Sequence, residues 1–134
     1  LVTGVQTCAL PILLIVRDAL RGIKRFGEFQ KSLGIAKNML TTRLKLLVDE
    51  GILRLQPASD GSAWQEYVLT DKGRALQTVL VALSQWGNEF LFADNECGTM
   101  LVDTEQRKPL RKLALIADDG RELTPEEIVA KLPS

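Results

Sequence analysis

The stretch FGEFQKSLGIAKNMLTTRLKLLVDEG, Phe26–Gly51, carries two apolar periodicities separated by a glycine. In its first part Phe26, Phe29 and Leu33 recur at i, i+3 and i+7, the spacing of one helix face. Gly34 follows where a left-handed residue commonly ends a helix. In the second part Leu40, Leu44, Leu47 and Val48 share a face, and Gly51 is the stop. Rotating 100° per residue from Leu40 brings Leu44 and Leu47 within about 40° of it. Two helices joined by so short a turn predict a helix-turn-helix.

Downstream the period shortens. ILRLQPAS alternates Ile52 and Arg54 against Leu53 and Leu55, Asp60-Gly61 supplies a turn, and WQEYVLT alternates through Trp64, Glu66 and Val68. That is a β-hairpin. Helical spacing returns in TDKGRALQTVLVALSQWGNEFLF, with Leu76, Val79, Leu80, Leu83, Trp86 and Phe90 along one long helix. Gly87 inside it costs about 1 kcal/mol relative to Ala and suggests a close helix–helix approach. Upstream, Leu13–Arg21 reads as a helix stopped by Gly22, with Arg17 and Asp18 on its outer face, and IKRF is short and β-prone. After Ala93, TMLVDT and PLRKLALIA read as strands around EQRK, and Asp119-Gly120 is a second turn. TPEEIVAKL predicts a short helix, Thr124 being its N-cap, Pro125 its first residue and Glu127 the other half of a capping box. The expected fold is mainly α with a small β-hairpin wing (α+β), a winged helix-turn-helix followed by a C-terminal β-hairpin and short helix.

Composition narrows the class. The 134 residues suffice for one core, and 46% hydrophobic with 25% charged residues is ordinary for a soluble domain. No apolar run approaches the roughly 18 residues that cross a bilayer. A secretory leader is disfavoured, because no Lys or Arg precedes Arg17 and Pro11 interrupts the apolar stretch. Two distant cysteines, Cys8 and Cys97, and no histidine offer neither a disulfide framework nor metal-ligand spacing. These features predict a cytoplasmic protein without membrane partner, metal or cofactor.

The formal net charge of zero hides a gradient. Leu13–Gln77 holds 11 bases against 7 acids, while Thr78–Ser134 holds 6 against 10. A basic first half suits a polyanion. Opposite the leucine stripe of the second helix lie Asn38, Thr42 and Lys45, flanked by Thr41 and Lys37. Asn can pair with adenine, Thr offers a hydroxyl and a methyl, and Lys reaches guanine or phosphate. Arg43 lies nearer the stripe, suited to a phosphate or to an acid of its own chain. Arg25 and Arg54 are expected at backbone phosphates, which orient a protein without reading sequence. The wing tip ASDGSA has no base, so an arginine inserted in the minor groove is not expected.

An enzyme finds no support: there is no Gly-rich phosphate loop, and the acid pairs 49–50, 118–119 and 126–127 are sequence neighbours, which a helix points about 100° apart. Cys97 as a thiol sensor is disfavoured, its neighbouring charges Asp94 and Glu96 being acidic. A winged helix used only for protein–protein contact is the alternative; it would expose apolar residues where Asn38, Thr42 and Lys45 stand.

The motifs RFGEF, LTTRLKLL, EGIL and YVLTDKGRAL occur in this order between Leu13 and Phe92, and the stretch resembles the core of HxlR-type regulators, winged-helix proteins related to the MarR type. The resemblance implies a homodimeric bacterial regulator at a pseudo-palindromic promoter operator, with helix 36–50 on the DNA. Leu76, Val79, Leu80, Leu83, Trp86 and Phe90 are expected to supply dimer contacts, and a small-molecule or redox effector is an expected input. The family's upstream helix has no counterpart here. Instead VTGVQTCALPI, Val2–Ile12, resembles the one-frame translation of a common sequencing-library adapter, so residues 1–12 are expected to be extraneous. The resulting division is 13–93 as the DNA-binding domain with its dimerisation helix and 94–134 as an appendage. That appendage resembles one in which paired CG and CxxCG motifs hold a metal. Here Cys97-Gly98 lacks the second pair, and no metal is expected.

Overall fold

The computed structural model describes residues 12–91 and 100–133; the expectations for residues 1–11 and for Cys97 lie outside them. The chain divides into two compact units, Leu1–Leu80 and Val81–Ser134.

In the first unit, residues 12–20 are helical (α1), followed by α2 at Phe26–Leu33 and α3 at Lys37–Asp49. Strands β1 (Leu53–Pro57) and β2 (Gln65–Leu69) pair antiparallel, with Leu53 opposite Leu69 and Leu55 opposite Tyr67. A short helix α4 (Asp71–Arg74) leads into α5 (Gln77–Phe90). Helix α2 closes at Gly34, whose φ of 63° is left-handed, and the Gly34 N–H donates to the Gln30 carbonyl at 2.9 Å. The helix-turn-helix and the wing therefore form where the periodicities place them.

The core follows from those stripes. Ile15, Val16, Phe29, Leu40, Leu44, Leu47, Leu53 and Leu69 form one buried cluster. Leu76 and Leu80 pack against it, partly buried. The Phe29 ring meets Tyr67 edge-on, their centroids 6.4 Å apart. The IKRF stretch is not a strand, although the Tyr67 N–H donates to the Lys24 carbonyl at 2.8 Å.

Asp18 departs from its expected outward position. It is 1% exposed, accepting from the Ser32 hydroxyl at 2.7 Å and pairing with Arg17 at 3.1 Å. A carboxylate leaves water when donors replace its hydration, and Ser32 on α2 is one such donor.

The single long helix expected from Thr70 onward is interrupted at Ala75 and Leu76. Gly73 lies in the short segment before the break. A Cβ there would lie 2.3 Å from the Ile52 carbonyl oxygen and 2.8 Å from a Leu69 methyl, so α4 sits too close to the hairpin for any other residue. Thr70 caps α4 by accepting from the Gly73 N–H at 3.2 Å, and its hydroxyl contacts the carbonyls of Gly51 and Ile52. Lys72 Nζ donates to the Glu50 carbonyl at 2.7 Å, at the C-terminal end of α3, where a cation complements the helix dipole.

The second unit holds most of α5 and the described part of the appendage. The Gln85 amide donates to the Arg111 carbonyl at 3.0 Å and accepts from the Leu113 N–H at 2.7 Å. Lys112 pairs with Glu89 at 2.9 Å. The two strands expected around EQRK reduce to one bridge, Val102 with Pro109. There Asp103 takes the N–H groups of Gln106, Glu105 and Lys108, and these donors hold its carboxyl below the usual range. Strand β3 (Leu115–Ile116) pairs instead with β4 (Glu122–Leu123) around Asp119-Gly120.

The expected C-terminal helix is only a 3-10 turn, Pro125–Glu127. Its capping box forms, yet Ile128 is already extended and Ile128, Val129 and Leu132 are exposed. A helix this short needs a packed face, which these apolar residues do not find among the described residues.

Candidate nucleic-acid interface

Helix α3 sets the site. Its Leu40, Leu44 and Leu47 are fully buried, which fixes the helix rotation and presents Lys37, Asn38, Thr41, Thr42 and Lys45 to solvent. The Thr41 and Thr42 hydroxyls donate back to the Lys37 and Asn38 carbonyls, at 2.8 and 2.9 Å. Their methyls and remaining lone pairs are what the threonines can offer a ligand. The Asn38 side-chain oxygen accepts from the Met39 N–H at 2.9 Å. Lys37, Asn38, Thr41 and Thr42 line one open hollow; Asn38, Met39, Thr42 and Arg43 line another. Arg43 is half-buried beside the leucine stripe.

The outlying arginines differ. Arg54 is exposed on β1, in a hollow at the foot of the hairpin shared with Lys72 and Arg74. Neither of these two bases figured in the sequence reading; their signal was the charge excess of the first half. Arg25 is the N-cap residue of α2, and its guanidinium pairs with Asp60 at the wing tip. The Ser62 N–H bonds the same carboxyl at 2.9 Å, and with Arg25 it lowers the Asp60 pKa from 3.8 to about 2. Behind the tip the buried Glu66 accepts from the Ser59 N–H and hydroxyl, both at 3.2 Å. Sequence reasoning also passed over Met39, exposed between Asn38 and the core stripe; an apolar group there suits a thymine methyl.

The dimerisation residues separate into two sets. Leu76 and Leu80 turn to the core of the first unit, whereas Val79, Leu83, Trp86 and Phe90 are exposed along α5. The Trp86 and Phe90 rings, one turn apart, meet at a tilt of 44° with their centroids 5.8 Å apart.

Two helices in a tight turn, a stripe-anchored second helix and a β-hairpin wing make a winged helix-turn-helix, and residues 12–95 match the HxlR-like helix-turn-helix family. The chain belongs to that family. An HTH-type transcriptional regulator of Mycobacterium tuberculosis is 43% identical over 79 residues, covering 59% of this chain and 50% of its own. The HxlR-like chain thus spans about half the length of the curated relatives it matches first. Among solved structures, the candidate transcription factor PA1607 is 50% identical, with a TM-score of 0.82 over 89% of this chain and 83% of its own. A MarR-family regulator from Enterococcus faecalis superposes with a TM-score of 0.52 at 30% identity, covering 66% of this chain and 86% of its own. The winged helix-turn-helix is the fold of this chain. Among the described residues no helix is long and apolar enough to cross a membrane, and no cluster of acidic or thiol side chains could hold a metal.

Proposed function

We propose that this HxlR-like chain is a sequence-specific transcription regulator that binds promoter DNA as a homodimer. Helix α3, with its flanks at 36–50, lies in the major groove. The observation that carries this reading is the rotation of α3: a fully buried leucine stripe leaves Asn38, Thr42 and Lys45 outward. These are groups that discriminate base edges. Lys37 and Thr41 extend the face, and Arg43 and Arg54 take phosphates. Residues 13–93 then form the DNA-binding domain with its dimer helix, 94–134 are an appendage, and the protein works in the cytoplasm without catalysing a reaction. A small-molecule or redox effector belongs to the same proposal.

The protein–protein alternative draws on Met39 and Leu46, exposed on the flank of α3. Anisotropy of a labelled duplex from the chain's own promoter, with and without excess mixed-sequence DNA, separates the two. Promoter binding that survives the competitor is expected; no affinity for either duplex overturns the reading.

A further inference from the structure

The wing tip combines two charges that a DNA-binding surface uses in opposite ways. Arg25 is placed for phosphate. In a helix-turn-helix the first helix crosses the sugar–phosphate backbone, and Arg25 sits at the first turn of that helix. Its main chain is fixed independently of its side chain: the N–H donates to Glu28 at 3.3 Å and the carbonyl accepts from Phe29 at 3.0 Å. The guanidinium is nevertheless occupied, paired with Asp60. The two side chains are 36% and 56% exposed, so the pair is open to exchange with solvent anions.

Asp60 is held on its own account. Its other oxygen accepts from the Ser62 N–H, a local turn that persists whether or not Arg25 is present. No Lys or Arg lies in residues 58–63 to offset it. A phosphate that reaches Arg25 must therefore displace a carboxylate that stays in place afterwards as a neighbouring negative charge.

We propose that Asp60 is an affinity-limiting residue: by occupying Arg25 in the free protein it withholds one phosphate contact from DNA, an inference that rests on the DNA-binding reading above. DNA phosphate and the Asp60 carboxylate compete for the same guanidinium, and the exchange nearly cancels. The wing keeps overall DNA affinity low, which leaves discrimination to the base-reading face of α3.

The test uses Asp60→Asn in the full chain, because the amide keeps the oxygen that accepts from Ser62 and removes the charged acceptor that holds Arg25. The probe is a fluorescently labelled mixed-sequence duplex of about three helical turns, for which phosphate contacts supply nearly all the affinity. Asp60→Asn is expected to bind roughly three- to tenfold more tightly than the parent at low salt. The slope of log affinity against log salt should steepen by about one unit, the signature of one added phosphate contact. Combined with Arg25→Ala, the same substitution is expected to change neither quantity by more than a small fraction. An equal gain in the Arg25→Ala background would mean a long-range charge effect and would overturn the proposal, as would an unchanged salt slope. A parent chain that binds this duplex while Asp60→Asn gains nothing refutes the role of Asp60 alone; a parent chain without affinity for any duplex removes the DNA reading with it.

Discussion

Helices α3 and α5 are built by the same rule and end with opposite outer faces. Each sends leucines to the core of the first unit: Leu40, Leu44 and Leu47 from α3, Leu80 from α5. The exposed residues of α3 carry amides, hydroxyls and ammonium groups, whereas α5 exposes Val79, Leu83, Trp86 and Phe90. Amphipathic spacing decides which face turns inward; the chemistry of the other face decides what the helix meets. A polar outer face suits a hydrated polyanion. An exposed aromatic pair suits another apolar surface, and homodimers bury such patches.

The comparison breaks most visibly at its shared half. Leu44→Ala removes a fully buried anchor of α3 and is expected to cost about 2–5 kcal/mol, seen as a lower melting temperature by circular dichroism. A melt indistinguishable from the parent would mean that the stripe does not hold α3. Charging the outer face of α5 should act differently. Trp86→Asp with Phe90→Asp is expected to weaken self-association by at least about 2 kcal/mol, enough to turn a dimeric mass into a monomeric one by light scattering. A dimer that persists at the same concentration would place the interface elsewhere.

The outer face of α3 carries the next effect. Lys45→Ala or Asn38→Ala is expected to weaken promoter binding by roughly 1–3 kcal/mol where a base contact is lost, leaving the melting temperature unchanged. Unaltered anisotropy titrations for both variants, at fixed salt, would remove the assignment of that face. The smallest effect lies at the wing. The folded-state pKa of Asp60 is lowered from 3.8 to about 2, so its contribution to stability is present above pH 3.8 and is lost as pH falls through about 2. An NMR titration of the Asp60 carboxyl should show its midpoint near 2. A midpoint near 3.8 would mean that the Ser62 and Arg25 contacts do not persist in solution.

Much of the first unit was legible because its signals are local. The stripes Phe26–Leu33 and Leu40–Val48, the glycine stops and the Asp60-Gly61 turn each state one element. The burial of Asp18 and the close seat of α4 on the hairpin were not legible, since both depend on partners distant in sequence: Ser32 for the carboxylate, the Ile52 carbonyl for Gly73. The occupation of Arg25 by Asp60 is also non-local, spanning 35 positions. In the second unit the sequence promised strands and a helix from propensity and capping residues, and such local signals without a packed face yield little regular structure.

Gln85 has a chemical consequence of its own. By donating to Arg111 and accepting from Leu113 it does what a neighbouring strand would do, with one side chain. A carboxamide carries donor and acceptor side by side, whereas the carboxylate of Glu accepts only. Hydrolysis of that amide to Glu, the slow ageing reaction of glutamine, would keep the bond from Leu113 and set a negative oxygen against the Arg111 carbonyl. The Leu113 amide proton records the state of this clasp, exchanging with solvent only as often as the Gln85 side chain swings away.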